Sequence, residues 1–153
     1  MSPVPVTVAP SGEYACARAW SALTAAHARI SERLGAALHQ DCGLSINDFE
    51  LLLRLDQEPG PGQRLGHLNA AVRLTQPSLS RAVTRLENRG WVCRSGSPGD
   101  GRGVLVSITA AGQDRLRTAV PVHAGVIREF LLDQLTPDEQ DVLARTLNRV
   151  AGS

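Results

Sequence analysis

The stretch from Leu65 to Ile108 constrains this chain more than any other. Leu68, Ala71 and Val72 fall on one helical stripe, Leu79, Val83 and Leu86 fall on a second, and Leu74-Thr75-Gln76-Pro77 separates them. Two short helices joined by a tight turn make a helix-turn-helix. Thr75 is placed as the N-cap of the second helix, Pro77 falls in its first turn where a missing N–H costs nothing, and Gly90 marks its end. With Leu79, Val83 and Leu86 facing a core, Gln76, Ser80, Arg81, Thr84 and Arg85 turn toward solvent. None of these is a carboxylate. Together with Thr75, Pro77 and Ser78 they form a candidate surface for base edges and phosphates in a DNA major groove.

A hairpin is expected next. Trp91-Val92-Cys93-Arg94 and Val104-Leu105-Val106-Ser107-Ile108 are rich in β-formers, and Gly96 to Gly103 between them is turn chemistry throughout. A hairpin that follows a recognition helix is a wing. Arg102 at its tip is a long cation suited to a neighbouring minor groove. Asp100 is expected to pair with Arg94 at the base of the first strand and hold the tip in shape. A flexible loop without a partner is the competing reading, and it leaves the basic face of the adjoining helix unexplained.

The run from Leu74 to Arg94, followed by Asp100-Gly101-Arg102 and by Leu105-Val106-Ser107-Ile108-Thr109-Ala110-Ala111-Gly112, resembles the MarR family of bacterial transcriptional regulators. Three spaced elements carry the likeness: a helix closing on Leu86-Glu87-Asn88-Arg89-Gly90, an Asp-x-Arg wing, and a Leu-Thr-x-x-Gly-like start to the next helix. The resemblance implies a homodimer that binds a pseudo-palindromic operator and is released by a small ligand or by oxidation. The fold it implies is mainly α with a small β-hairpin wing, a winged helix-turn-helix flanked by N- and C-terminal dimerisation helices.

Charge is distributed to suit. The chain of 153 residues has a net charge of +1, yet from Gly62 to Leu105 seven arginines (Arg64, Arg73, Arg81, Arg85, Arg89, Arg94, Arg102) face only Glu87 and Asp100. That segment therefore carries +5 and the remainder −4, which concentrates positive potential where contact with phosphate is expected. No apolar run reaches the length of a membrane span and Met1-Ser2-Pro3-Val4-Pro5 lacks the pattern of a signal peptide, so a cytoplasmic protein is expected. Cys16, Cys42 and Cys93 are odd in number and widely spaced, forming neither a disulfide framework nor a zinc pattern.

Catalysis finds little support. His27, His39, His67 and His123 are scattered, and His39-Gln40-Asp41-Cys42 reads as a helix terminus before it reads as a metal site. Nucleophile elbow, phosphate loop and dinucleotide-binding glycine motifs are all absent. No cofactor or metal is expected, and the chain is read as a DNA-binding regulator, a repressor, and not as an enzyme. The alternatives are a winged helix that serves only protein interaction or dimerisation, and a cysteine-based redox sensor.

Residues 1–12, with three prolines, read as a mobile tail. Residues 13–44 form an N-terminal dimerisation helix with Trp20, Leu23, Ile30, Leu34 and Leu38 at helical spacing. Residues 45–109 form the DNA-binding domain; it begins with a helix capped by Ser45 and Asp48, with Phe49, Leu52, Leu53 and Leu55 on its apolar side, and stopped at Pro59-Gly60-Pro61-Gly62. Residues 110–153 form C-terminal dimerisation helices. The first is capped by Thr109, extends to about Gln134 and is expected to kink near Thr118 to Pro121; the second is capped by Thr136, Pro137 and Glu139. These flanking helices have no third layer to cover them within one chain.

An effector is expected between the long first helix and the winged domain. Trp20 and His27, seven residues apart on one helical face, are candidates for its wall, and the class is a small aromatic or anionic ligand. Cys16 lies where peroxide-sensing relatives keep a reactive thiol. Those relatives also use tyrosines to hydrogen-bond the thiolate, and the single tyrosine here, Tyr14, lies on a different face of the helix.

Overall fold

The computed structural model describes residues 12–58, 60–72, 74–96, 99 and 103–152. Arg73 and the wing residues Asp100 and Arg102 lie outside the described residues, so the pairing and minor-groove role expected of the wing tip are not seen. The order of elements is α1 (Gly12–Cys42), α2 (Ile46–Gln57), β1 (Gln63–Arg64), α3 (Leu65–Val72), α4 (Gln76–Asn88), β2 (Val92–Gly96), β3 (Val104–Ile108), α5 (Ala110–Phe130), a single 3-10 turn at Leu132–Gln134, and α6 (Pro137–Ala151).

Local capping chemistry sets most of these boundaries. Ser45 Oγ accepts from the Asp48 N–H at 3.1 Å while the Asp48 carboxylate accepts from the Ser45 N–H at 3.1 Å, a closed capping box at the head of α2. Thr136 and Glu139 close a second box at α6. Thr75 and Thr109 cap α4 and α5.

The core lies within the winged helix and the parts of α1 and α5 that touch it. Leu38 and Leu44 meet Leu51 and Leu52 of α2, Leu68 of α3, Leu79, Val83 and Leu86 of α4, Val92 and Val106 of the sheet, and Leu116 of α5. Leu51 is fully buried where Leu53 was expected to be, and Leu53 is only half-buried.

The sheet has three strands in the order β1-β3-β2, all antiparallel, with Val92 opposite Ile108 and Gln63 opposite Val106. The two residues of β1 were not expected, because two residues cannot show a period. Gly62 admits them: at a φ of 116° a Cβ there would stand 2.9 Å from the Val106 carbonyl oxygen. Gln63 then turns its amide to the Arg54 carbonyl at 3.2 Å and ties the strand to α2.

The return from wing to α5 is tighter still. Thr109 donates its N–H to the Trp91 carbonyl at 3.0 Å and its hydroxyl to the Gly90 carbonyl at 2.6 Å. A Cβ at position 112 would lie 2.0 Å from the Trp91 carbonyl oxygen, so only glycine fits. Pro121 does not break α5, which is continuous from Ala110 to Phe130. The proline is exposed, so water can solvate the Arg117 carbonyl that loses its helical partner.

Outside this core the apolar surface is open. Every residue from 14 to 29 of α1 is exposed, Trp20 to 68%, and α6 buries none of its residues although Val142, Leu147 and Val150 share a stripe.

Two predictions follow from the packing. Gly112→Ala should cost upward of about 2 kcal/mol by denaturant unfolding, since backbone must move to admit the methyl group. His123 of α5 stacks on Phe49 at 4.6 Å between ring centroids, and burial lowers its pKa below the ordinary value while Glu50 opposes the shift. The unfolded chain therefore takes up the proton first, and stability should fall as pH drops through about 6.5. His123→Phe keeps a ring in the stack and should reduce the stability lost between about pH 7.5 and 5.5; an unchanged loss would assign it to other groups.

Candidate nucleic-acid interface

Helix α4 buries Leu79, Ala82, Val83 and Leu86 and leaves Gln76, Pro77, Ser80, Arg81, Thr84 and Arg85 exposed, as the helical spacing requires. Its N-terminus is organised by a short polar chain. Thr75 donates its hydroxyl to Ser78 Oγ at 2.9 Å, the Ser78 N–H returns to Thr75 Oγ1 at 3.4 Å, and Arg81 Nη2 reaches Ser78 Oγ at 3.4 Å. Ser80, Arg81, Thr84, Arg85, Asn88 and Arg89 line an open groove on the outer side of the helix.

Two arginines have partners that local spacing did not suggest. Arg85 places Nη2 at 2.5 Å from Asp48 Oδ1 and Nε at 3.4 Å from Oδ2, and Asp48 is 3% exposed. The residue that caps α2 thus also grips the recognition helix. Arg94, whose carboxylate was expected to be Asp100, pairs with Glu87 of α4. Its backbone N–H donates to Glu87 Oε1 at 3.3 Å and its Nη2 to Thr84 Oγ1 at 3.1 Å. The wing's first strand is thereby bolted to the recognition helix. The pairing with Glu87 arises because β2 runs back beside the last turns of α4.

Arg89, the C-cap of α4, adds a third tie, donating Nη1 to the Gly43 carbonyl at 2.6 Å with its guanidinium 5.0 Å from the Trp91 ring centre. Arg115 of α5 approaches the same ring to 5.0 Å and reaches the Cys42 carbonyl at 3.4 Å. The end of α1, the end of α4 and the start of α5 converge on one indole. Among the described residues Arg81 and Arg89 have no carboxylate partner, whereas Arg85 and Arg94 do.

The other candidates lie elsewhere. Trp20 and His27 are exposed on the open half of α1, with His27 Nε2 3.5 Å from Ser31 Oγ. Cys16 and Cys93 are exposed, and Cys93 Sγ lies 3.1 Å from Ser107 Oγ across the wing. Cys42 is buried, and that burial, with Asp41 beside it, pushes its thiol pKa up. Among the described residues no group of three or more His, Cys, Asp or Glu is placed to hold a metal, and no helix is long and apolar enough to cross a membrane.

A three-helix domain with a strand-built wing and a second helix whose outer face is basic and free of carboxylates defines the winged helix-turn-helix class. A family-wide sequence profile described as the MarR family matches residues 44–104. The transcriptional regulator HosA of Escherichia coli O111:H- is 30% identical over 112 residues, covering 73% of this chain and 81% of HosA. A MarR family transcriptional regulator from Streptomyces coelicolor, solved in complex with DNA, is 32% identical with a TM-score of 0.81, over 87% of this chain and 86% of that one. AbsC, another MarR family regulator from Streptomyces coelicolor, is 28% identical with a TM-score of 0.82, over 95% of this chain and 97% of that one. The chain belongs to the MarR family of winged helix-turn-helix regulators, and it is a transcriptional regulator and not an enzyme.

The ties just described should be separable by mutation. Arg94→Ala removes the strand's hold on Glu87 and Thr84 and should cost about 1 to 2 kcal/mol of stability. Arg94→Lys, which keeps the charge but not the planar fork, should recover only part of that loss in the same unfolding measurement.

Proposed function

We propose that this chain works as a homodimeric repressor in the cytoplasm. In this reading it places the two copies of α4 in successive major grooves of a pseudo-palindromic operator. The observation that carries the reading is the outer face of α4: exposed Gln76, Ser80, Arg81, Thr84 and Arg85 with no carboxylate among them, on a helix whose other side is fully committed to the core. The Streptomyces coelicolor relative solved with DNA supports the choice of partner. Thr75, Pro77 and Ser78 order the start of the helix against phosphate, Arg94 holds the first strand of the wing, and in this reading Arg102 reaches the minor groove while Asp100 keeps the tip in shape.

The case for two copies comes from what one copy leaves bare. A helix exposed on every residue from 14 to 29, with Trp20 and Leu23 on it, has too little packing to hold its shape alone in water. The uncovered stripe of α6 is its natural complement in a second chain. The same pairing would turn the open face bearing Trp20 and His27 into the wall of a cleft, where a small aromatic or anionic effector could bind and release the operator. Oxidation at Cys16 is the rival trigger, and nothing hydrogen-bonds its thiol among the described residues.

Sedimentation should give a dimer at micromolar concentration, and footprinting upstream of the protein's own gene should protect two half-sites about 10 base pairs apart, centre to centre. A monomer, or protection of a single asymmetric half, overturns this reading. Arg102→Ala should weaken specific and non-specific DNA alike and lower the salt slope by about one unit per protomer; unchanged affinity would remove the wing from the interface.

A further inference from the structure

We propose that Asp48 is a positioning residue for sequence readout, holding Arg85 by one edge of its guanidinium so that the opposite edge is presented to a guanine. This rests on the reading of α4 as the DNA-contacting helix and states what one of its side chains recognises.

The argument begins with the geometry of the fork. A guanidinium carries five N–H groups in one plane. Asp48 takes the side edge, with Oδ1 on Nη2 at 2.5 Å and Oδ2 on Nε at 3.4 Å. What remains is the terminal edge, one N–H from each of Nη1 and Nη2, and no described residue accepts from Nη1. Two parallel donors at that spacing match O6 and N7 of guanine in the major groove. The residue lines the open groove beside Ser80, Arg81, Thr84 and Asn88, on the outer side of the helix.

Asp48 is itself immobile. It is 3% exposed, and its carboxylate is pinned a third time by the Ser45 N–H at 3.1 Å. An unrestrained arginine on a helix surface loses rotamer freedom when it binds, whereas Arg85 is already held before DNA arrives. Its charge is also largely answered by the carboxylate, so its gift to phosphate attraction is small. Arg81, bonded only to the Ser78 hydroxyl, keeps its full charge for the backbone. The two arginines on this helix therefore divide the work, Arg81 supplying field and Arg85 supplying choice.

The test is selection of bound duplexes from a random pool by the full-length protein, in parallel for wild type, Asp48→Asn, Arg85→Lys and Arg81→Ala, with each variant's melting temperature recorded. The wild type should enrich a site with an essential guanine in each half. Asp48→Asn keeps an acceptor for the Ser45 N–H, and it should lose about tenfold of the preference for that guanine while other positions hold. Arg85→Lys retains the ion pair but not the planar fork and should lose the same preference, which keeps the test decisive if Asp48→Asn does not fold. Arg81→Ala should leave that preference in place and lower the salt slope. A variant at Asp48 that lowers melting temperature and affinity for all sequences alike, with the guanine preference intact, would overturn the proposal; so would Arg85→Lys with an unchanged preference. A wild type that enriches no sequence would instead defeat the reading of α4 as a DNA-contacting helix.

Discussion

Most of the DNA-facing geometry hangs on one buried carboxylate. Asp48 closes the capping box of α2 and receives the fork of Arg85 from α4, so the helix that packs at the centre of the domain and the helix on its outer face share a single charged group. A carboxylate 3% exposed would be costly if unpaired, since the penalty for a stranded buried ion runs to several kcal/mol. Three donors on two oxygens remove that penalty. Because Arg85 is itself partly in water, the net stabilisation is modest and the gain lies in direction: α4 cannot rotate about its axis without pulling the fork away from Asp48. Leu79, Val83 and Leu86 resist the same rotation from the core side.

The ties around α4 form a closed set. Asp48 holds its side, Thr84 and Glu87 hold the strand β2 through Arg94, and Arg89 holds the carbonyl of Gly43 at the end of α1. The last of these is the only one of the three that reaches out of the winged helix. Arg89 and Arg115 lie against the same indole and donate to neighbouring carbonyls, Gly43 and Cys42. A shift of α1 along its axis would therefore be felt at the C-terminus of the recognition helix, about four turns of α1 from His27 and about six from Trp20. The end of α1 and the C-terminus of α4 are thus mechanically joined through Arg89, Trp91 and Arg115.

The parts of this architecture that were legible in the sequence are those encoded by neighbours. Ser45 with Asp48, Thr75 with Pro77, Thr109, and Thr136 with Glu139 mark four helix starts because capping acts over three residues. Burial of Leu79, Val83 and Leu86 followed from helical period. What escaped depends on residues brought together late. Asp48 and Arg85 are 37 positions apart, so nothing local couples the cap of one helix to the outer face of another. Arg94 meets Glu87 because β2 returns along α4, a pairing that no local spacing announces. Trp20 was placed in an apolar stripe that the described residues of the single chain leave open, and exposure of this kind depends on partners that helical period cannot reveal.

A nearly neutral protein can still present a strong local field, and the helix termini show how. Helices α2 and α6 place carboxylates in their own first turns, Asp48 in one and Asp138 with Glu139 in the other, answering the positive ends of their dipoles internally. Helix α4 has no acid in its first turn; its cap is the uncharged hydroxyl of Thr75, and Arg81 stands one turn further along. The positive end of α4 is thus left for an outside anion, in the geometry by which helix N-termini hold phosphate. Neutralising Arg85 and Arg94 with Asp48 and Glu87 works in the same sense, because it removes charge from positions where it would attract any duplex. Non-specific binding scales with the number of phosphates neutralised, while choice among sequences scales with the donors held in fixed directions. On the proposed reading of Arg85, setting Asp48 against it lowers general affinity and widens the gap between the right site and the rest of the genome, whereas Glu87 commits Arg94 to holding the wing strand.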